Sequence, residues 1–200
     1  AWAACGSQGR HEQTVHSDQD NALILHDDYR PERDGAWFTA LAQRVNDGLD
    51  VCGFRYCPGQ VMASTPAWRQ PAAAWARQFA GWISHADDMA AMLAANFLDL
   101  RVIHGDASLL APLHATVLDT CARHDLFIAR MTANALKNRP PLGFFRNFLL
   151  AGEGEHADTF DIKRGGLIAI TDLARIHALV AGRRLVLGGA NANGHYWEQF

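Results

Sequence analysis

The sequence predicts an α+β fold: a first half in which short strands alternate with helices, then a second half that is all helix. Three observations carry this. The apolar runs Ala1–Cys5 and Ala22–Leu25 are short and bounded by Gly, Ser, Asp and Asn, as buried strands are. Trp37, Leu41, Val45 and Leu49 recur every four residues, the stripe of an amphipathic helix. Beyond Gly105-Asp106 only helical spacing is found, in Leu110, Leu113, Val117, Cys121, Ile128, Met131 and Ala135. A boundary at Asp106 therefore divides the chain into residues 1–106 and 107–200.

Taken in order, Ala1–Cys5 reads as a strand, and Gly6-Ser7-Gln8-Gly9 as a tight turn with exposed backbone N–H groups. Arg10 to Val15 is polar and suits a short helix. Asp18-Gln19-Asp20-Asn21 then runs into the second strand, and His26 to Gly35 is a solvated connection. The helix marked by Trp37 ends near Gly53, and Cys57-Pro58-Gly59-Gln60 is loop chemistry. Pro66, Trp68, Trp75, Phe79 and Trp82 suggest a further helix whose aromatics are core packing rather than a cofactor box. Ala90–Phe97 reads as helix, and Leu98–Ile103 as a half-buried strand with Asp99 and Arg101 on one side. One long helical face runs from about Ala107 to Lys137 and stops at Arg139-Pro140-Pro141, and another helix covers Leu167–Val180.

Composition narrows the class. The chain has 200 residues, 49% hydrophobic and 20% charged, which excludes disorder, collagen and coiled coil. A chain of this size buries roughly 70% of its unfolded surface and needs no disulfide or metal staple. The net charge of −3 and the absence of a basic cluster argue against extended nucleic-acid binding. Cys5, Cys52, Cys57 and Cys121 read as small core or loop residues; the Cys52/Cys57 spacing has no partner pair that would make it a zinc site. His124 falls on the apolar stripe as a hydrogen-bonded core histidine. No stretch approaches 18 consecutive apolar residues, so no membrane span is expected and the cytoplasm is the expected compartment. The first residue is Ala, and the chain is expected to be a segment of a longer protein.

The residues that suggest chemistry lie early. Asp18 and Asp20, two apart at the mouth of a strand, project from one face and can hold a divalent cation between them. Gly6-Ser7 offers N–H groups and a hydroxyl to phosphate oxygens twelve residues upstream. A phosphate nest beside a metal site is what nucleotide transfer requires. On these residues alone, a turn followed by surface aspartates is an equal reading.

The longer strings Gly6-Ser7-Gln8-Gly9-Arg10-His11-Glu12-Gln13 and Ser17-Asp18-Gln19-Asp20-Asn21-Ala22-Leu23-Ile24 resemble the predicted nucleotidyltransferases found beside CBS or cyclic-nucleotide-binding modules in bacterial signalling proteins. That family is similar to the N-terminal region of the PII-protein uridylyltransferases, in the polymerase-beta-like superfamily. The resemblance continues through Cys57-Pro58-Gly59-Gln60-Val61-Met62-Ala63, Trp68-Arg69-Gln70-Pro71, Asp99-Leu100-Arg101, the Arg139 to Phe145 string and the Asp161 to Leu167 string, and reaches about residue 182.

The resemblance implies a polymerase-beta-like domain with a small mixed sheet, followed by a helical substrate-binding domain. It implies Gly6 and Ser7 on the nucleotide phosphates, Asp18 and Asp20 on Mg2+ (or Mn2+), and Asp99 as the third carboxylate that completes the metal shell and helps deprotonate the acceptor hydroxyl. Arg10 and Arg101 are phosphate ligands on this reading. For Arg101 an ion pair with Asp99 or Asp106 is equally open, and Glu12 and Gln13 read better as capping and stabilising the helix after the turn. Lys163 and Arg175 either face the nucleotide or acceptor or are solvated surface charges.

The implied reaction moves a nucleoside monophosphate from a nucleoside triphosphate to an acceptor hydroxyl, on a protein by analogy with PII uridylylation, under a sensory CBS or cyclic-nucleotide-binding partner domain. The rival classes are a non-catalytic nucleotide-binding regulatory module and a protein-interaction domain with a relic first lobe. The sequence departs from the family at the Gly/Asn-rich Gly188 to Gly194, where the helical domain is expected to be incomplete.

Overall fold

The computed structural model describes residues 1–14, 16–138 and 166–182. Four short strands form one mixed sheet: β1 (Trp2–Ala4), β2 (Asn21–Leu25), β3 (Arg69–Pro71) and β4 (Arg101–His104), in the order β3-β2-β1-β4. β1 runs antiparallel to both β2 and β4, with Trp2 opposite Leu23 and Ala4 opposite both Asn21 and Arg101. β3 is parallel to β2, pairing Leu23 with Arg69 and Leu25 with Pro71. The helices are α1 (Gly6–Gly9), α2 (Pro31–Val51), α3 (Ala72–His85), α4 (Asp88–Phe97), α5 (Leu110–Cys121), α6 (Asp125–Ala135) and α7 (Ile168–Val180). This is an α+β unit followed by helices, as the sequence predicts.

Because successive strand residues point to opposite faces, β2 feeds two cores. Ala22 and Ile24 join Ala3 and Cys5 in the larger one, which is packed by Trp75, Phe79, Phe97, Leu113, Val117 and Phe127 from α3 to α6. Leu23 and Leu25 turn the other way and meet Ala42 and Phe38 of α2. The aromatic spacing does mark core: Trp68, Trp75, Trp82 and Phe97 pack with ring centroids 4.6 to 6.3 Å apart, and Trp75 donates its indole N–H to the Leu23 carbonyl at 3.3 Å.

Five local expectations are corrected. The helical turn forms at Gly6–Gly9 itself, where Arg101 grips its last carbonyls, and the expected helix does not form across Arg10–Thr14. The helix expected from Pro66 begins only at Ala72, and within the expected span Arg69–Pro71 is an edge strand, the place in a sheet where a proline is tolerated. The strand after α4 begins at Arg101, which leaves Asp99 in the approach to it. Trp37 is 62% exposed, and the buried centre of α2 is Ala42 and Asn46. Last, the long face beyond Ala107 is two helices. The chain turns at Ala122–His124, where His124 Nδ1 meets the Thr120 carbonyl at 2.8 Å, so that α5 packs on α3 while α6 lies between α4 and α7. Lys163, the Arg139 to Phe145 string and the Gly/Asn-rich tail lie outside the described residues.

Candidate active site

The approach to β2 carries polar residues on both faces. Gln19 and Asn21 are almost wholly buried and join Asn46 of α2, also buried, in an amide network. Asn46 Nδ2 donates to Gln19 Oε1 at 2.6 Å and to Asn21 Oδ1 at 3.1 Å. Gln19 Nε2 donates to the Asn46 and Phe54 carbonyls, both at 3.0 Å. The Ala63 N–H reaches Asn21 Oδ1 at 2.9 Å, and the Ser64 N–H reaches Asn46 Oδ1 at 3.0 Å. The bonds to Gln19 and Asn21 fix the register of those two residues, the Ser64 bond holds Asn46 in place, and the alternation of the strand aims Asp18 and Asp20 the opposite way.

There the two half-buried carboxylates meet Cys57. Ligand atoms of Asp18, Asp20 and Cys57 all lie within 4.8 Å of one another, a spacing that fits one cation, and two carboxylate oxygens are the hard donors that Mg2+ and Mn2+ prefer. Burial, then the hydrogen bond to Asp20, push the Cys57 thiol up to about 12, so it stays protonated at neutral pH and donates to Asp20. Burial likewise drives Cys5 well above the ordinary thiol value, with Asp20, Cys57 and Asp99 adding to it.

The glycine turn sits against the same acids. Gly6 has φ +57, and a β-carbon there would lie 2.5 Å from Asn96 Oδ1 and 3.2 Å from Asp20 Oδ2. Backbone and carboxylate are thus neighbours. The N–H groups of Gly6, Ser7 and Gln8 open the helical turn and have no acceptor within it. Arg101 donates from Nε to the Gly9 carbonyl at 3.1 Å and from Nη2 to the Gln8 carbonyl at 2.9 Å, so it clamps the far end of the turn instead of pairing with Asp99 or Asp106. Burial works against its charge and lowers its pKa.

Asp99 does not join Asp18 and Asp20 in the cation-sized cluster. Both its oxygens are engaged by arginines: Arg175 donates from Nε to Oδ1 at 3.2 Å and from Nη2 to Oδ2, which also accepts from Arg10 Nη1. Arg10 further bonds Glu12 at 2.9 Å. Arg175, one of the two cations left open between site and surface, is 7% exposed and holds Asp172 as well. Burial opposes the Arg175 charge, and Asp99 and Asp172 more than offset this and raise its pKa.

The structure therefore brings Gly6, Asp18 and Asp20 together, with Ser7 next to Gly6 in the turn, and places Arg10, Asp99 and Arg101 at the Gly9 end of the turn. Lys163 is outside the described residues. Cys57 and Asn46 were missed as site residues. Cys57 stood in a matched string, and Asn46 was a polar residue one step off the stripe of α2.

The family model described as Putative nucleotidyltransferase DUF294 matches residues 1–89, and the one described as Putative nucleotidyltransferase substrate binding domain matches residues 125–185. No curated protein matches, and no solved structure matches. Among the described residues no helix is long and apolar enough to cross a membrane. The first match spans the glycine turn, the acidic pair and Cys57, the second spans α6 and α7, and together they identify the chain as a member of this nucleotidyltransferase family with its helical C-terminal domain.

Proposed function

We propose that the chain binds a nucleoside triphosphate with Mg2+ and transfers its nucleoside monophosphate to an acceptor hydroxyl on a protein, releasing pyrophosphate. The observation that supports this reading is the proximity of Gly6 to Asp20, 3.2 Å from a β-carbon position to a carboxylate oxygen, so that phosphates on the turn and a cation on the acids would meet.

Asp18 and Asp20 hold the cation, with the Cys57 thiol beside them. When bound, the cation supplies charge neutralisation of the triphosphate and stabilises the leaving pyrophosphate. The N–H groups of Gly6, Ser7 and Gln8 orient the phosphates, and the Ser7 hydroxyl adds a donor. Asp99 is not assigned to the acceptor proton in this reading, because its oxygens already serve two guanidinium groups. The acceptor class, and control by a CBS or cyclic-nucleotide-binding partner, rest on the resemblance to PII-protein uridylyltransferases.

Calorimetric titration with ATP, UTP, GTP and CTP, with and without Mg2+, tests the reading. The expected result is Mg2+-dependent binding of at least one nucleotide, lost in Asp18→Asn/Asp20→Asn while the fold is retained. Absence of binding by the folded wild-type chain would transfer the lead to a non-catalytic interaction module.

A further inference from the structure

A chain of alternating charges runs from helix α7 to the glycine turn: Asp172, Arg175, Asp99, Arg10, Glu12. The inner three side chains are 4 to 12% exposed. They come from distant parts of the sequence, with Arg175 76 residues from Asp99 and Asp99 89 residues from Arg10. Asp99 thus has two counter-charges. Arg175 covers both carboxylate oxygens with its planar fork, whereas Arg10 touches only Oδ2, and Arg10 is the residue that directly follows the Gly6–Gly9 turn.

We propose that Arg175 is a positioning residue for phosphate capture: as the standing counter-charge on Asp99, it allows Arg10 to be released to a polyphosphate bound at the turn. The inference rests on the nucleotide reading of that turn. Without Arg175, moving Arg10 away leaves a buried carboxylate unpaired, an unfavourable state that opposes phosphate binding. With Arg175 in place, Asp99 stays satisfied by two hydrogen bonds. The coupling is reciprocal: a polyphosphate that draws Arg10 off Asp99 concentrates that carboxylate on Arg175 and holds α7 more tightly. The helical domain would thereby set the affinity of the nucleotide site without touching the nucleotide.

The test titrates Mg2+ and inorganic tripolyphosphate, a probe that needs no base, into the full chain as wild type, Arg10→Gln, Arg175→Lys and the double variant. A lysine keeps the charge but loses the fork, so Arg175→Lys is expected to bind tripolyphosphate about tenfold more weakly, with no further loss on the Arg10→Gln background. Wild-type affinity in Arg175→Lys, or losses that simply add, overturns the inference. A second measurement needs no variant: hydrogen exchange of the α7 amides, residues 168–180, is expected to slow about threefold or more on saturation with tripolyphosphate. Unchanged exchange in α7 also overturns it. If the wild-type chain binds neither tripolyphosphate nor any nucleotide, the nucleotide reading fails and takes this inference with it; if the wild-type chain binds but the variant or α7 does not respond, only this inference fails.

Discussion

Gly9 packs its backbone directly onto that of Asp99, so closely that a β-carbon at position 9 would collide with the Asp99 carbonyl oxygen. Neither partner can yield, since Arg101 pins the turn and Asp99 is held by two arginines. Gly9→Ala is therefore expected to destabilise the chain by about 2–3 kcal/mol, the upper range for overpacking. Gly6→Ala should cost about 1–2 kcal/mol for its left-handed backbone, because its nearest obstacle is the movable Asn96 side chain. Urea unfolding checks the order, and a Gly9→Ala chain as stable as Gly6→Ala would contradict it.

Asn46 makes the bonds that hold the strand register behind the acidic pair. Asn46→Ala removes them in a buried place and is expected to cost about 2–4 kcal/mol, counting the partners left unsatisfied. Because the same bonds aim Asp18 and Asp20, divalent-cation affinity should fall as well. Titration of Mn2+ against the variant, below its unfolding midpoint, reads that second effect.

Asp99 separates two roles by a simple measurement. As the anchor of Arg10 and Arg175, its replacement by Asn leaves the buried Arg175 and the partly buried Arg10 short of an acid and should destabilise by about 3–5 kcal/mol. Mn2+ affinity at Asp18 and Asp20 should stay as in wild type. A large fall in Mn2+ affinity, with the fold intact, would return Asp99 to the metal shell.

The thiols predict an alkaline limit. Burial pushes Cys121 up to about 12 from an ordinary value of 9.0, and burial first and Asp20 second push Cys57 up to about 12 as well. A thiol whose folded pKa is raised stabilises fully below its unfolded pKa, and that contribution is lost as pH rises through the folded one. Stability should therefore decline between pH 9 and about 12, and more gently in Cys121→Ala, as urea midpoints across that range would show. At pH 8 in the native state, an alkylating reagent should modify the exposed Cys52 well before the buried Cys5, Cys57 and Cys121. Mass spectrometry of the labelled chain counts the modified residues.

The alternation Asp18-Gln19-Asp20-Asn21 by itself determined that both acids leave one face of a strand, since the period of a strand is a local property of the backbone. Hydrophobic spacing likewise located β1, β2, α4 and α7 to within a few residues, and the aromatics of α3 as core. The tertiary structure alone decided that Cys57 joins the acids, that Asn46 braces them, that Asp99 belongs to Arg10 and Arg175, and that the apolar face beyond Ala107 bends at Ala122–His124. Periodicity records which side of an element is buried, but a buried charge is matched to whatever opposite charge the fold brings within reach. For Asp99 that partner came from 76 residues away, and nothing local to Asp99-Leu100-Arg101 distinguishes an arginine anchor from a metal ligand.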